Sequence, residues 1–351
     1  MRHRPFSQSR ARGMGLPEIL VGVVIAMIAA IVMLQVFSTA EGFKRSTTGG
    51  GDAQINGTIA LHTLQRDIRQ AGYATGLPSI VGCSLRLSPS VTLPVLAPVI
   101  INPQGVPAGD ANTDTLLIAY GSAAQLPEGA RIFNHVAGQA TYTVATPGSF
   151  AVGDYAVPQA EARPQACVLA FSTVSSRDLP NSSVGLSIAS STSMKGGTLI
   201  NLGAQTVIRA YAIRGGALTS CDYLLNDCGA QKNASNQNVW VPIASNVVSL
   251  RALYGRDTTT PLDRTIDAYD RTTPSTVCEW AGLGSLRLAL VARNEQFEKT
   301  NVTTAAPSWA GAASAAIDLS QLPDWQRYRY RLFETTVPLM NMLMPDVPSG
   351  C

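Results

Sequence analysis

From Ile19 to Phe37 the chain reads ILVGVVIAMIAAIVMLQVF, nineteen positions without a charge and with Gln35 as the one polar side chain. At about 1.5 Å per residue such a helix covers roughly 28 Å, close to the hydrocarbon thickness of a bilayer, so the pattern predicts a single membrane span. Lys44, Arg45, Ser46, Thr47 and Thr48 follow, and then Gly49 to Gly51. Each glycine costs about 1 kcal/mol inside a helix, which predicts a break near 46–51. Leu61, Leu64, Ile68 and Ala71 then recur at helical spacing, with Gln65, Arg66, Asp67 and Arg69 on the other faces. This predicts an amphipathic helix that stops at Gly72.

After Tyr73 the texture changes to short β-prone runs set apart by Pro, Gly, Asn and Asp. Strands are predicted at Thr115 to Tyr120, Ala140 to Val144, Thr206 to Ile213, Val247 to Tyr254, Ser285 to Val291 and Tyr328 to Val337. The run SLRLALV alternates, which predicts a half-buried strand with its leucines on the core side. No linker or fixed-period repeat divides this region, so it reads as one elaborated β domain. If it splits into two lobes, the Ser/Thr-rich stretch from Ser172 to Ser193 is the expected weak point.

Composition agrees with an exported β-rich protein. Of 351 residues, 46% are hydrophobic but only 14% are charged, against about 25% in an ordinary soluble domain. Arg2, Arg4, Arg10 and Arg12 crowd the first thirteen residues; taking them from the 26 basic residues leaves 22 against 23 acidic ones. A near-neutral remainder carries no electrostatic footprint for strong nucleic-acid binding. Cys83, Cys167, Cys221, Cys228, Cys278 and Cys351 are even in number and contain no C-x-x-C pair, a spacing that suits disulfides better than metal. Cys221 and Cys228 form the easiest local loop. Fifteen connectivities remain open, as do buried free thiols.

The residues before the apolar run narrow its role. The arginine cluster keeps the N-terminus cytoplasmic and sends the chain beyond residue 41 outward. A secretory signal peptide would also begin with a basic stretch and an apolar run, and Ser38, Thr39 and Ala40 permit cleavage. However, Gly13 ends the basic stretch, Met14 follows, and Glu18 lies five residues into what would remain. A carboxylate at the lipid boundary costs up to about 2.5–3.5 kcal/mol at full depth and calls for a partner. In this register the segment resembles a type IV prepilin leader. The resemblance implies cleavage between Gly13 and Met14 by a prepilin peptidase, N-methylation of Met14, and pairing of Glu18 with the new amine of a neighbouring subunit. Met14 stands where the family commonly has phenylalanine, and Pro17 where it often has an aliphatic residue; proline in a first helical turn loses no intrahelical hydrogen bond.

Further strings resemble the large minor pilins of the PilW family: LQRDIRQAGYA (Leu64 to Ala74), DTLLIAYG (Asp114 to Gly121), VVSLRALYGRD (Val247 to Asp257), SLRLALVAR (Ser285 to Arg293) and YRYRLFETTVPLMN (Tyr328 to Asn341). Cys83 lies farther beyond the AGY element than relatives often place a cysteine, which leaves its partner open. The resemblance implies an α+β fold with a removed leader at 1–13, a pilin helix at 14–73 and a β-rich domain at 74–351. It implies residence in the inner membrane with the C-terminus periplasmic, and later in a pilus, at the tip. Its expected partners are other minor pilins, the major pilin and a large tip adhesin. A type II secretion pseudopilin shares the leader and stem, and a membrane-tethered binding domain or enzyme is a further alternative.

Catalytic, metal and cofactor signals are absent from the motif inventory. His3 belongs to the leader, while His62 and His135 lack neighbouring ligand residues in sequence. Asp110, Asn112 and Asp114 space like the start of a calcium loop, but Thr115 and Gly121 occupy positions where glycine and glutamate are needed. Arg327, Arg329 and Arg331 alternate with tyrosines and read as the solvated face of a terminal strand rather than a nucleic-acid stripe.

Overall fold

The computed structural model of the chain describes residues 15–164, 166–342 and 351, with backbone alone over 45–48. Gly13 and Met14 lie outside the described residues. The chain divides between Gly51 and Asp52 into two compact units.

Helix α1 runs from Leu16 to Gln70. Its backbone passes through Gly49, Gly50 and Gly51 without interruption, where the glycine penalty predicts a break. Propagating a helix adds one hydrogen bond for each residue fixed, whereas restarting one repeats the nucleation cost; three glycines do not outweigh that here. The strands are β1 (Ser84–Arg86), β2 (Thr92–Leu93), β3 (Val99–Ile101), β4 (Leu116–Tyr120), β5 (Ala130–Asn134) and β6 (Thr141–Val144). Next come β7 (Tyr155–Gln159), β8 (Val168–Ala170), β9 (Ser172–Asp178), β10 (Ser183–Leu186), β11 (Thr198–Gly203) and β12 (Val207–Arg214). The series ends with β13 (Ala217–Asp222), β14 (Val241–Ser245), β15 (Val247–Arg256), β16 (Ala268–Asp270), helix α2 (Val277–Ala281), β17 (Leu283–Arg293) and β18 (Tyr330–Pro338). The α+β class and all six expected strands are borne out, each to within a few residues.

Two antiparallel sheets, ordered β14-β13-β12-β4-β3 and β16-β15-β17-β18, hold the main core together with the C-terminal part of α1. Leu64 and Ile68 are fully buried, each contributing about 1.5–3 kcal/mol of hydrophobic stabilisation. Tyr254 reaches from β15 to the β3 backbone, its hydroxyl accepting from Ile101 N at 2.6 Å.

Strands β4 and β12 pair directly, from Tyr120 opposite Val207 to Leu116 opposite Tyr211. Everything between them is therefore an insertion. Within it, β10-β6-β5-β11-β7-β9 closes into a six-stranded barrel around its own core, which includes Tyr142, Phe150 and Leu199. Ser172 to Ser193 is not a seam between lobes, since it supplies β9 and β10. Closure buries the apolar residues of those strands, Val174 and Val184 among them. Alongside, β1 pairs in parallel with β8 and antiparallel with β2.

Strand β17 is buried on both faces, not one. Leu286, Leu288 and Leu290 enter the main core, while Ala289 and Val291 pack into a third cluster with Trp309, Ile317 and Leu319. The segment between β17 and β18 folds back over that outer face, a long-range covering that strand periodicity does not reveal.

Candidate assembly site

The first helical turn sets the geometry at the start of the stem. Gly15 precedes the helix, Pro17 sits where the lost N–H had no intrahelical partner, and Gly15 O accepts from Glu18 N at 2.9 Å. The Glu18 carboxylate turns back to accept from Gly15 N at 3.4 Å, so it caps one donor at the positive end of the helix dipole. From Leu16 to Phe37 the large apolar side chains are exposed on every face, Met33 at 72% and Phe37 at 67%. A helix that is apolar all round is stable only inside lipid or among other apolar helices. By length and composition this one can cross a membrane.

The part of α1 in the second unit is built for close docking. Its buried positions are Ala53, Gly57, Ala60, Leu64, Asp67 and Ile68, with Leu61 half-buried and Ala71 buried just past its end. Small residues bring the helix down onto the sheet: a Cβ on Gly57 would lie 2.0 Å from Phe333 Cε2 of β18. Gln65 Nε2 also donates to Thr335 Oγ1 of β18 at 2.8 Å.

Asp67 overturns its expected place on the outer faces. It is completely buried and accepts from Tyr120 OH at 3.2 Å, Arg209 Nη1 at 3.1 Å, Tyr211 OH at 2.5 Å and Arg66 Nε at 3.2 Å. Four donors satisfy a charge that would otherwise be expelled from the core. Burial, and then the adjacent negative charge of Asp67, pushes the Tyr120 hydroxyl up to about 12; Tyr211 rises for the same two reasons. Both phenols therefore stay protonated and donating. Tyr211 is fully buried, so this cluster fixes helix register and is closed to a substrate.

The helix stop lies where the sequence places it. Gly72 adopts φ +88° and donates to Ala119 O of β4 at 3.0 Å. Asn341, just after β18, donates its amide to the terminal carbonyls of Gln70 at 3.0 Å and Ala71 at 3.2 Å. The AGY element, DTLLIAYG and the closing YRYRLFETTVPLMN thus meet at one point. Asp114, at the head of DTLLIAYG, is buried and accepts from Ala252 N at 3.0 Å, from Arg251 at 3.3 Å and from Arg271. Asp110 instead caps Gly215 N and Gly216 N, and Asn112 donates to Asp318. The three residues of the calcium-like string face separate partners.

The six cysteines pair as Cys83–Cys167, Cys221–Cys228 and Cys278–Cys351. Cys83–Cys167 lies beside the parallel β1–β8 pairing, where Ser84 N donates to Cys167 O at 3.0 Å. Cys278 sits on α2, whose start is held by reciprocal bonds between Thr276 and Glu279. Hydrogen bonds from Ser275 and the Thr276 backbone hold the Glu279 carboxyl below its ordinary value.

His135 is buried, stacked on Tyr142 at 4.2 Å, and bonded to Gln139 O and Met194 N. Exposed His62 lies on the outer face of α1. Among the described residues no group of three or more His, Cys, Asp or Glu side chains could hold a metal ion. Arg329 pairs with Glu298 at 3.1 Å and Arg327 lies over Phe297, so these two members of the arginine stripe are knitted into the outer covering of β17.

Among solved structures, a type IV-like pilin from Thermus thermophilus is similar at 10% identity, with 83% of this chain and 98% of that chain covered and a TM-score of 0.34. No curated protein matches. The family model PilW, type IV pilus-assembly protein W, matches residues 211–341. That span runs from Tyr211, which holds Asp67, to Asn341, which caps the same helix, and leaves the inserted barrel outside it. The resemblance read from the sequence is borne out there: residues 211–341 carry the signature of the PilW family of type IV pilus-assembly proteins.

Proposed function

We propose that this protein is a structural, non-enzymatic minor pilin that primes or caps a type IV pilus within a minor-pilin tip complex. The carrying observation is a stem whose apolar side chains are exposed all round and which opens with the carboxylate of Glu18, in a chain with PilW character over residues 211–341. Lipid covers such a stem before assembly, and the stems of neighbouring subunits cover it afterwards. A prepilin peptidase cuts between Gly13 and Met14, and the methylated Met14 amine of an adjoining subunit neutralises Glu18 inside the fibre. The globular unit begins at Asp52 and carries an extra barrel, a bulk that would crowd a fibre shaft and favours a terminal position.

The test is replacement of Gly13, with surface pili counted, retraction scored and N-terminal mass spectrometry run on the membrane-extracted chain. The expected result is an unprocessed chain and a large loss of pili. Normal pilus number with an unprocessed chain refutes the proposal. Loss of type II secretion with normal piliation assigns the stem to a pseudopilin instead. A wild-type chain that starts at Met1, or after Ala40, refutes processing at Gly13.

A further inference from the structure

We propose that a groove between the inserted barrel, the β1–β2 hairpin and the loop closed by Cys221–Cys228 binds a neutral pyranose, as the end of a surface glycan. The groove encloses about 390 Å³, within the roughly 300–1,000 Å³ of small-molecule sites. It goes beyond the assembly role, which uses the stem at the other end of the chain sequence.

The lining alternates in chemistry. Leu87, Val91, Ile188 and Leu225 supply aliphatic surface, and the rings of Tyr155 and Phe171 stack at 4.6 Å beside them. Ser88, Thr173, Ser187 and Asn226 place hydroxyl and amide groups between these apolar surfaces. Such alternation matches a pyranose ring, whose C–H faces seek aromatic and aliphatic surface while its hydroxyls exchange hydrogen bonds with neutral polar groups.

Charge narrows the ligand further. Asp227 is the one carboxylate in the lining, and no lysine, arginine or histidine lines the groove. Phosphates, sulfates and uronates find no counter-charge, and the carboxylate repels them.

The backbone excludes a peptide added as a strand. Leu87 N donates to Val91 O, Thr173 N to Ser187 Oγ, Ser187 N to Thr173 O and Ile188 N to Ser172 Oγ. In the disulfide loop, Leu224 N, Leu225 N and Asn226 N all donate to Asp222. No sheet edge is offered here, and strand addition draws its affinity from one. Among the described residues the Asn226 amide and the Tyr155 and Thr173 hydroxyls have no protein hydrogen-bond partner. They are the groups left for a ligand.

The site is also preformed. The Cys221–Cys228 bond closes the loop, Asp222 ties down its turn, and Tyr223 OH donates to Gly105 O at 3.2 Å. A loop ordered in advance loses little entropy on binding. Leu225 stands 80% exposed at the rim and Ile188 47%, open to a ligand arriving from solvent.

The experiment uses the full chain in lipid nanodiscs or a zwitterionic detergent, since alkyl glycoside detergents would compete. Methyl pyranosides of glucose, galactose, mannose and N-acetylgalactosamine are titrated by saturation-transfer NMR, with methyl glucuronoside as the charged probe. Wild type, Asn226→Ala and Leu225→Arg are compared, the first at a half-buried and the second at an exposed position of the disulfide loop. The expected result is millimolar binding of at least one neutral pyranoside, weakened at least about tenfold in both variants with an unchanged melting temperature, and no binding of the glucuronoside. Three outcomes overturn the proposal: no neutral pyranoside bound at 50 mM on the order of the probe limit, equal binding of the glucuronoside, or variants that bind as wild type does. A failure here leaves the Gly13 experiment untouched, so the two readings fail separately.

Discussion

Replacing Asp67 with alanine removes the acceptor that holds α1 in register on the sheet. The change leaves Tyr120 OH and Tyr211 OH in the core without their partner, and leaves Arg209, only 26% exposed, with the longer 3.8 Å contact to Asp222 alone. Breaking a buried pair costs about 3–5 kcal/mol, because the remaining groups stay desolvated. At roughly 2 °C per kcal/mol for a unit of this size, the melting temperature should fall by about 6–10 °C. Asp67→Asn keeps the volume and one acceptor oxygen, and should lose about half as much. The assay is tryptophan-detected thermal and denaturant unfolding of the full chain in one detergent. A cycle with Arg209→Ala should return a coupling energy of about 1–3 kcal/mol between the two side chains. An Asp67→Ala variant within about 1 kcal/mol of wild type, or a cycle showing no coupling, would refute the register argument.

Gly57→Leu should destabilise the same interface by about 2–3 kcal/mol, because its Cβ alone meets the Phe333 ring, and Phe333→Ala in that background should restore part of the loss. Opening Cys221–Cys228 by alanine substitution should cost about 2.5 kcal/mol for so short a loop, against about 4.5 kcal/mol for either long-range disulfide, as read from denaturant midpoints. Tyr120, Tyr142, Tyr223, Tyr254 and Tyr330 are pushed up to about 12, first of all by burial. Unfolded tyrosines lose their protons near pH 10, so the stability these groups provide is whole below that value and is lost as pH rises toward 12. The share of the 295 nm absorbance rise that belongs to these tyrosines should therefore appear together with unfolding, and ionisation of all ten tyrosines near pH 10 in a chain that stays folded would contradict this. Glu279 is lowered, so the sign reverses: the stability gap between wild type and Glu279→Gln should be present at neutral pH and close below about pH 4, as followed by acid titration of the melting temperature.

Local signals carried much of the architecture. The apolar run, the Gly72 stop and six strands were legible because periodicity and glycine act over a few residues. What escaped reading depends on distant chain. Asp67 looks like one more polar residue on a helix surface until Tyr120, Arg209 and Tyr211 arrive from β4 and β12 to receive it. Ala53, Gly57 and Ala60 do not register as a hydrophobic stripe, yet their smallness is what lets α1 approach β18. The barrel was hidden for a related reason: its strands are short, β9 is mostly serine and threonine, and only closure makes them a core. The second covered face of β17 depends on Trp309, Ile317 and Leu319, which lie outside regular structure. Glu18 was legible from its position alone, and the structure adds a capping contact to Gly15 N that a solitary helix would also make.

Capping and assembly make different demands on Glu18. A capping carboxylate contributes about 0.3–1 kcal/mol to its own helix and tolerates replacement, whereas a carboxylate paired with a neighbour's amine inside a fibre does not. The deciding measurement is the amount of Glu18→Ala protein recovered in sheared surface fibres, relative to the amount held in the membrane. Membrane levels like those of wild type and near-complete loss from the fibres are expected; incorporation equal to wild type would contradict pairing of Glu18 with a neighbour's amine.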